Sequence, residues 1–127
     1  MKYTRIFADE EGETHFEDVE IELAFDQYAP PAPAFMVSEL GSATNYGFSQ
    51  FPSGWVGEWH PAPRRQFYII LSGEVECTVS DDEIRVFGPG DIVFLEDTTG
   101  KGHATKVVGS KALAAAMIVL GDQPVRA

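Results

Sequence analysis

Apolar and polar residues alternate with a period of two along much of this chain. In VEIELAF (Val19 to Phe25), Val19, Ile21 and Leu23 fall on one face and Glu20 and Glu22 on the other. That is the pattern of a half-buried strand. VECTVS (Val75 to Ser80) repeats it, with Val75, Cys77 and Val79 on one side. Three runs are apolar almost throughout: QFYIIL (Gln66 to Leu71), DIVFLE (Asp91 to Glu96) and ALAAAMIVL (Ala112 to Leu120). Alanine is a poor strand former, so the last run has some helical propensity. Its MIVL end and its lack of polar spacing favour a strand. Helical periodicity is almost absent elsewhere.

Turn chemistry separates these runs at short intervals. It falls near Gly12, at Gly73, over Ser80 to Glu83, over Gly88 to Gly90 and over Gly100 to Gly102. Many short strands between regular turns predict an all-β sandwich or barrel. YAPPAPAF (Tyr28 to Phe35) carries three prolines, which excludes a central strand. It is expected as an extended segment covering the barrel. No internal repeat, linker or second domain is visible, so residues 1–127 are expected to form one domain.

Composition narrows the function classes. A chain of 127 residues, 44% apolar, with nine Phe, four Tyr and two Trp, suits one packed core. No apolar run approaches the roughly 18 residues that a membrane helix needs. The start, MKYTRIFADEEGE, lacks the apolar core of a secretion signal, and Cys77 is the single cysteine. Both point to a reducing, cytoplasmic setting. The net charge of −11 disfavours nucleic acid and anionic membranes as partners.

Gly54, His60, Gln66 and Gly73, followed by Gly90, Gly100 and His103, are spaced so that from Gly54 onward the chain resembles the cupin superfamily. That family's first motif is a Gly, five residues, His-x-His, three or four residues, Glu, six residues and Gly. Here Gly54, His60, Gln66 and Gly73 keep the spacing, while Ala62 stands at the second histidine and Gln66 at the glutamate. The second motif is a Gly, five residues, Pro-x-Gly, two residues and His. GDIVFLEDTTGKGH runs from Gly90 to Gly100 and His103, two residues longer, with Thr98 at the proline.

The resemblance implies a double-stranded β-helix, the jelly-roll barrel of that family. The motif-bearing barrel is expected over about residues 50–120, with N-terminal strands and the proline-rich cover over 1–49. Alternation then turns Gln66, Tyr68 and Ile70 inward, followed by Val75, Cys77 and Val79. Glu58 shares parity with His60, and Trp59 points the other way. Trp55, Trp59 and Tyr46 could line the mouth of the barrel, and core or interface packing is the preferred expectation.

The resemblance also brings His60 and His103 together inside the barrel. The ligand pocket is expected to comprise His60, Gln66, Tyr68, Cys77 and His103. A divalent metal such as Zn, Fe, Ni or Mn would be held by His60, Gln66 and His103. Glu58, Glu96 and Asp97 are alternative carboxylate ligands, and salt bridges are their plainer role. Arg64 and Arg65 suit either an anionic ligand or surface pairing with the many acids. Cys77 reads as a small inward hydrophobe, and His15 as solvent-facing in an acidic turn.

Two functions follow. One is a small cupin that binds a small molecule over a metal, with dioxygenase- or isomerase-like chemistry. The other is a metal-free, non-catalytic ligand-binding module. A filled interior would instead indicate a structural role, and the residues leave catalysis open. A homodimer is expected, with YAPPAPAF and the N-terminal strand packing on a neighbouring barrel.

Overall fold

In the computed structural model, which describes residues 1–121, the chain is all β. The end of the expected domain, 122–127, lies outside the described residues. Twelve strands run in order: β1 (Lys2–Ala8), β2 (Thr14–Glu20), β3 (Ala24–Asp26), β4 (Phe35–Val37), β5 (Asn45–Phe51) and β6 (Val56–His60), then β7 (Gln66–Ser72), β8 (Glu74–Val79), β9 (Ile84–Phe87), β10 (Ile92–Leu95), β11 (His103–Val108) and β12 (Leu113–Val119). No helix here is long and apolar enough to cross a membrane.

Two sheets face each other as a jelly-roll barrel. The larger has the order β2-β1-β10-β7-β12-β5 and the smaller β6-β11-β8-β9. Among the described residues only β1 and β10 pair in parallel; every other pairing is antiparallel. The alanine-rich run is a strand, β12, lying between β7 and β5. Between the sheets, Ile6, Ile70, Val79, Val93 and Val107 form a buried core with Phe87.

One end is tied by a hydrogen-bonded knot. The Thr14 N–H donates to Ser80 Oγ (2.7 Å), the Ser80 N–H to Thr14 Oγ1 (2.8 Å), and the Thr14 hydroxyl to the Gly102 carbonyl (2.7 Å). Thr14 is fully buried, and these bonds satisfy its polar groups.

The alternation over Val19 to Phe25 does not make one strand. The β1–β2 ladder ends at Lys2 opposite Glu20, with one further bond from the Ile21 N–H to the Met1 carbonyl. Beyond that, Ile21 to Leu23 have no partner strand. The chain restarts as β3, which pairs only with β4. The prolines of YAPPAPAF lie between these two strands, with a cis bond at Pro30–Pro31. Phe25, Tyr28, Phe35 and Met36 are exposed there, so this segment stands as a hairpin rather than as the expected cover.

Candidate functional site

A cavity of about 750 Å³ lies between the two sheets. The inward alternation of β7 brings Gln66, Tyr68 and Ile70 to its wall, and β8 adds Val75 and Cys77. All five expected pocket residues (His60, Gln66, Tyr68, Cys77 and His103) line it. Val79 is fully buried in the adjoining core. Trp55 packs edge-on against Phe51 at 4.7 Å between ring centroids and lines the wall, whereas Tyr46 is exposed outside.

The two histidines come from neighbouring strands of the smaller sheet. His60 on β6 lies opposite His103 on β11, and their ring centroids are 5.1 Å apart. Gly102 makes this approach possible. A Cβ there would sit 2.3 Å from the carbonyl carbon and oxygen of His60, and its φ of +77° suits glycine. The same pairing carries a bulge: three residues, His103 to Thr105, span four on β6, Gly57 to His60. The bulge resets the alternation, so Gly57 and His60 share a face. The parity linking Glu58 with His60 and opposing Trp59 therefore fails; all three side chains border the cavity.

Hydrogen bonds place both imidazoles in the same tautomer. His60 Nδ1 donates to the Glu58 carbonyl at 2.6 Å. His103 Nδ1 bonds Asp97 Oδ2 at 2.6 Å, where both residues are buried. With each Nδ1 engaged, each Nε2 is left as the free ring nitrogen. Asp97 is fully inaccessible, and its Oδ1 has no hydrogen-bond partner among the described residues. His103 is thus the side chain that supports this carboxylate. The Asp97 carbonyl accepts from the Ala62 N–H at 2.9 Å, which fixes the turn beside His60.

The remaining polar groups differ in how they are engaged. Gln66 is buried, lines the cavity, and has no side-chain hydrogen bond within the described residues. Burial raises the Tyr68 phenol, keeping it a neutral donor. Burial, aided by the charge of Asp97, pushes the Cys77 thiol up to about 12. Cys77 is therefore an inert wall residue. Glu96 turns away from the cavity and is ion-paired with Arg5 and with Arg65, the latter at 3.2 Å. Arg64 lines the cavity beside His60.

His15 faces solvent in part and is also engaged by two carboxylates. It bridges Asp9 (2.7 Å from Nε2) and Asp81 (2.9 Å from Nδ1), joining the β1–β2 and β8–β9 turns. These bonds, Asp9 first, raise its pKa.

The arrangement can read a ligand and move a proton. An Nδ1–H held by a carboxylate orients His103 and leaves its Nε2 as the ring nitrogen that can accept a hydrogen bond or a proton from a group in the cavity. The same tautomers present Nε2 lone pairs suited to a metal, with Asp97 supporting one ligand from behind. As a donor set, however, two imidazoles and a neutral amide bring no charge. No group of three or more His, Cys, Asp or Glu side chains that could hold an ion occurs among the described residues. These donors suit a weakly held ion and do not fit a closed, resident centre. Asp97, named above as an alternative ligand, instead bonds His103 from behind; it lies in the stretch that makes the second motif two residues longer than the cupin pattern.

The family described as Cupin domain matches residues 47–119. A search of curated proteins finds no match. Among solved structures, the chain is similar to the Schizosaccharomyces pombe Cnp3 cupin domain, at 14% identity and a TM-score of 0.48. That similarity covers 94% of this chain and 83% of the other. It is also similar to a putative ethanolamine utilization protein Q from Salmonella typhimurium LT2, at 14% identity and a TM-score of 0.40, over 97% and 98% of the two chains. With a profile match spanning β5 to β12 and two histidines meeting across one barrel, this chain belongs to the cupin family.

Proposed function

We propose that the barrel binds a small molecule with an apolar body and a polar head group that is both donor and acceptor. One observation carries this reading: a cavity of about 750 Å³ whose polar side chains are concentrated around His60, Gln66 and His103. That volume lies within the roughly 300–1,000 Å³ typical of small-molecule sites. Gln66 and His103 are buried residues at the cavity wall, and a ligand that completes their hydrogen bonds is favoured over one that leaves them unmade. Tyr68, Ile70, Val75 and Val93 would take the apolar body. Gln66 and the two Nε2 atoms would hold the head group, and His103 would accept its proton.

The reading is tested with a panel of small aromatic and aliphatic alcohols, ketones and carboxylic acids, using titration calorimetry on the untagged protein. Members should bind one per cavity, and Gln66→Leu should weaken them at least tenfold. If no member binds, or if Gln66→Leu changes nothing, the reading is wrong.

A second reading is favoured by the tautomers alone: a divalent ion held by His60, Gln66 and His103, supplying Lewis-acid chemistry to a bound ligand. Gln66→Glu would then add the missing charge and tighten Zn or Ni binding, as measured by calorimetry. Equal affinity for both proteins would remove it.

A further inference from the structure

The cavity is polar at one end and apolar at the other. At the polar end His60, Gln66 and His103 meet Trp59 and Arg64. His60, Trp59 and Arg64 are exposed, so this end is the mouth. β7 runs from Gln66 towards Ser72 and β11 from His103 towards Val108, so both strands lead inward from it. Midway stand Gly57, Thr105 and Cys77, side by side on β6, β11 and β8. At the far end the smaller sheet presents Val107, Val75 and Phe87 in one row. Trp55 completes that row, its carbonyl accepting from the Val107 N–H at 2.9 Å. The larger sheet adds Leu113 opposite Phe51. These six side chains all line the cavity, and none is charged.

Close backbone packing shuts the far end. A Cβ on Gly73, in the β7–β8 turn, would stand 2.4 Å from the Ala112 carbonyl oxygen and 2.9 Å from Leu113 Cα. Its φ of +80° suits glycine as well. Gly57 plays the matching part for Trp55. A Cβ there would lie 2.5 Å from Trp55 Cη2 and 2.8 Å from Cζ3, so the indole rests directly on the β6 backbone. Phe51 packs edge-on against the same ring. The indole is wedged between a glycine and a second aromatic ring, and it forms the floor.

We infer that the ligand is an elongated amphiphile that enters tail first, and that Trp55, seated on Gly57, sets the length of its apolar tail. The inference rests on the ligand reading proposed above and adds a direction and a length to it. From Gln66 to Ile70, and from His103 to Val107, the strand advances roughly 13 Å at about 3.3 Å per residue. Allowing about 4 Å for contact with the floor leaves room for an extended chain of roughly six to eight carbons. The reverse orientation would bury the polar head against Val75, Val107 and Phe87, where no polar side chain of that row could meet it.

Titration calorimetry with straight-chain primary alcohols, from ethanol to decanol, tests this inference. Wild-type affinity should rise about three- to fourfold with each added carbon and turn over near roughly seven carbons. Trp55→Ala removes the floor and should move the turnover to longer chains. Trp55→Leu, a milder truncation, should move it in the same direction and serves if the alanine variant does not fold. Gln66→Leu should weaken every chain by a similar factor and leave the turnover in place, which separates the floor from the head-group site. In a Trp59→Phe background Trp55 is the remaining tryptophan. Its emission should change with heptanol and stay constant with ethanol. An unmoved turnover in both Trp55 variants, or a Trp55 emission indifferent to heptanol, overturns the inference while leaving the ligand reading intact. Failure of every alcohol to bind the wild type defeats that reading, and the inference with it.

Discussion

Replacing His103 with Ala should be far more costly than replacing His60. His103 is buried and holds the carboxylate of Asp97, which is fully inaccessible and has one oxygen already without a partner. Removing the imidazole strands a buried charge. Breaking a buried pair from one side typically costs about 3–5 kcal/mol. For a domain of this size that lowers the melting temperature by roughly 10–20 °C. His60 is exposed, and its ring hydrogen-bonds only a nearby carbonyl, so His60→Ala should cost about 1 kcal/mol or less. The double variant Asp97→Ala/His103→Ala removes charge and support together. It should be more stable than the sum of its single variants by about 2 kcal/mol or more. Urea unfolding of the five proteins measures all of these terms. A His103→Ala cost below about 1 kcal/mol, or strict additivity, would refute the claim that His103 supports Asp97.

Two further outcomes follow from the electrostatics. Cys77, with its thiol pushed up to about 12, is thiolate in roughly one molecule in ten thousand at pH 8. A soluble disulfide reagent should therefore label it only on unfolding; fast labelling of the native protein would contradict its burial. The His15 bridge should be pH-dependent in a definite direction. Its pKa is raised from 6.5, so its contribution is whole below about 6.5 and fades as pH rises through the folded value. Asp9 is lowered from 3.8 chiefly by His15, and Asp81 chiefly by the Glu83 N–H with His15 adding to it. Their contributions fade as pH falls through those lowered values. The melting-temperature gap between wild type and His15→Ala should therefore be widest near pH 5–6 and shrink towards both pH 9 and pH 3. A gap that grows above pH 8 would contradict the bridge.

Much of the barrel was legible in the order of residues. Period-two patterning located β8, because a strand buried on one face alternates, whereas on β7, apolar almost throughout, the inward set of Gln66, Tyr68 and Ile70 followed from the resemblance and the side-chain period of two. The glycines marked the turns, and motif spacing brought His60 and His103 to one cavity. Parity failed at Glu58 because a bulge inserts one residue without any change in composition. The strand expected over Val19 to Phe25 failed because alternation records amphipathicity and says nothing of where the partner strand stops. Asp97 and Glu96 are adjacent acids with opposite roles. One supports a cavity histidine and the other joins two arginines, a division set by contacts distant in sequence. The apolar runs of β7, β10 and β12 already signalled two apolar faces. Only the sheet order shows that these faces lie side by side.

The most direct test of the ligand-binding account is long-range ¹⁵N–¹H NMR of the three imidazoles during titration with the small-molecule panel. His60 and His103 line the cavity, while His15 sits between two aspartates elsewhere and serves as an internal reference. A binding member should move the Nε2 resonances of His60 and His103 to saturation and leave those of His15 in place. If all three remain still, or if only His15 moves, the cavity is not the binding site.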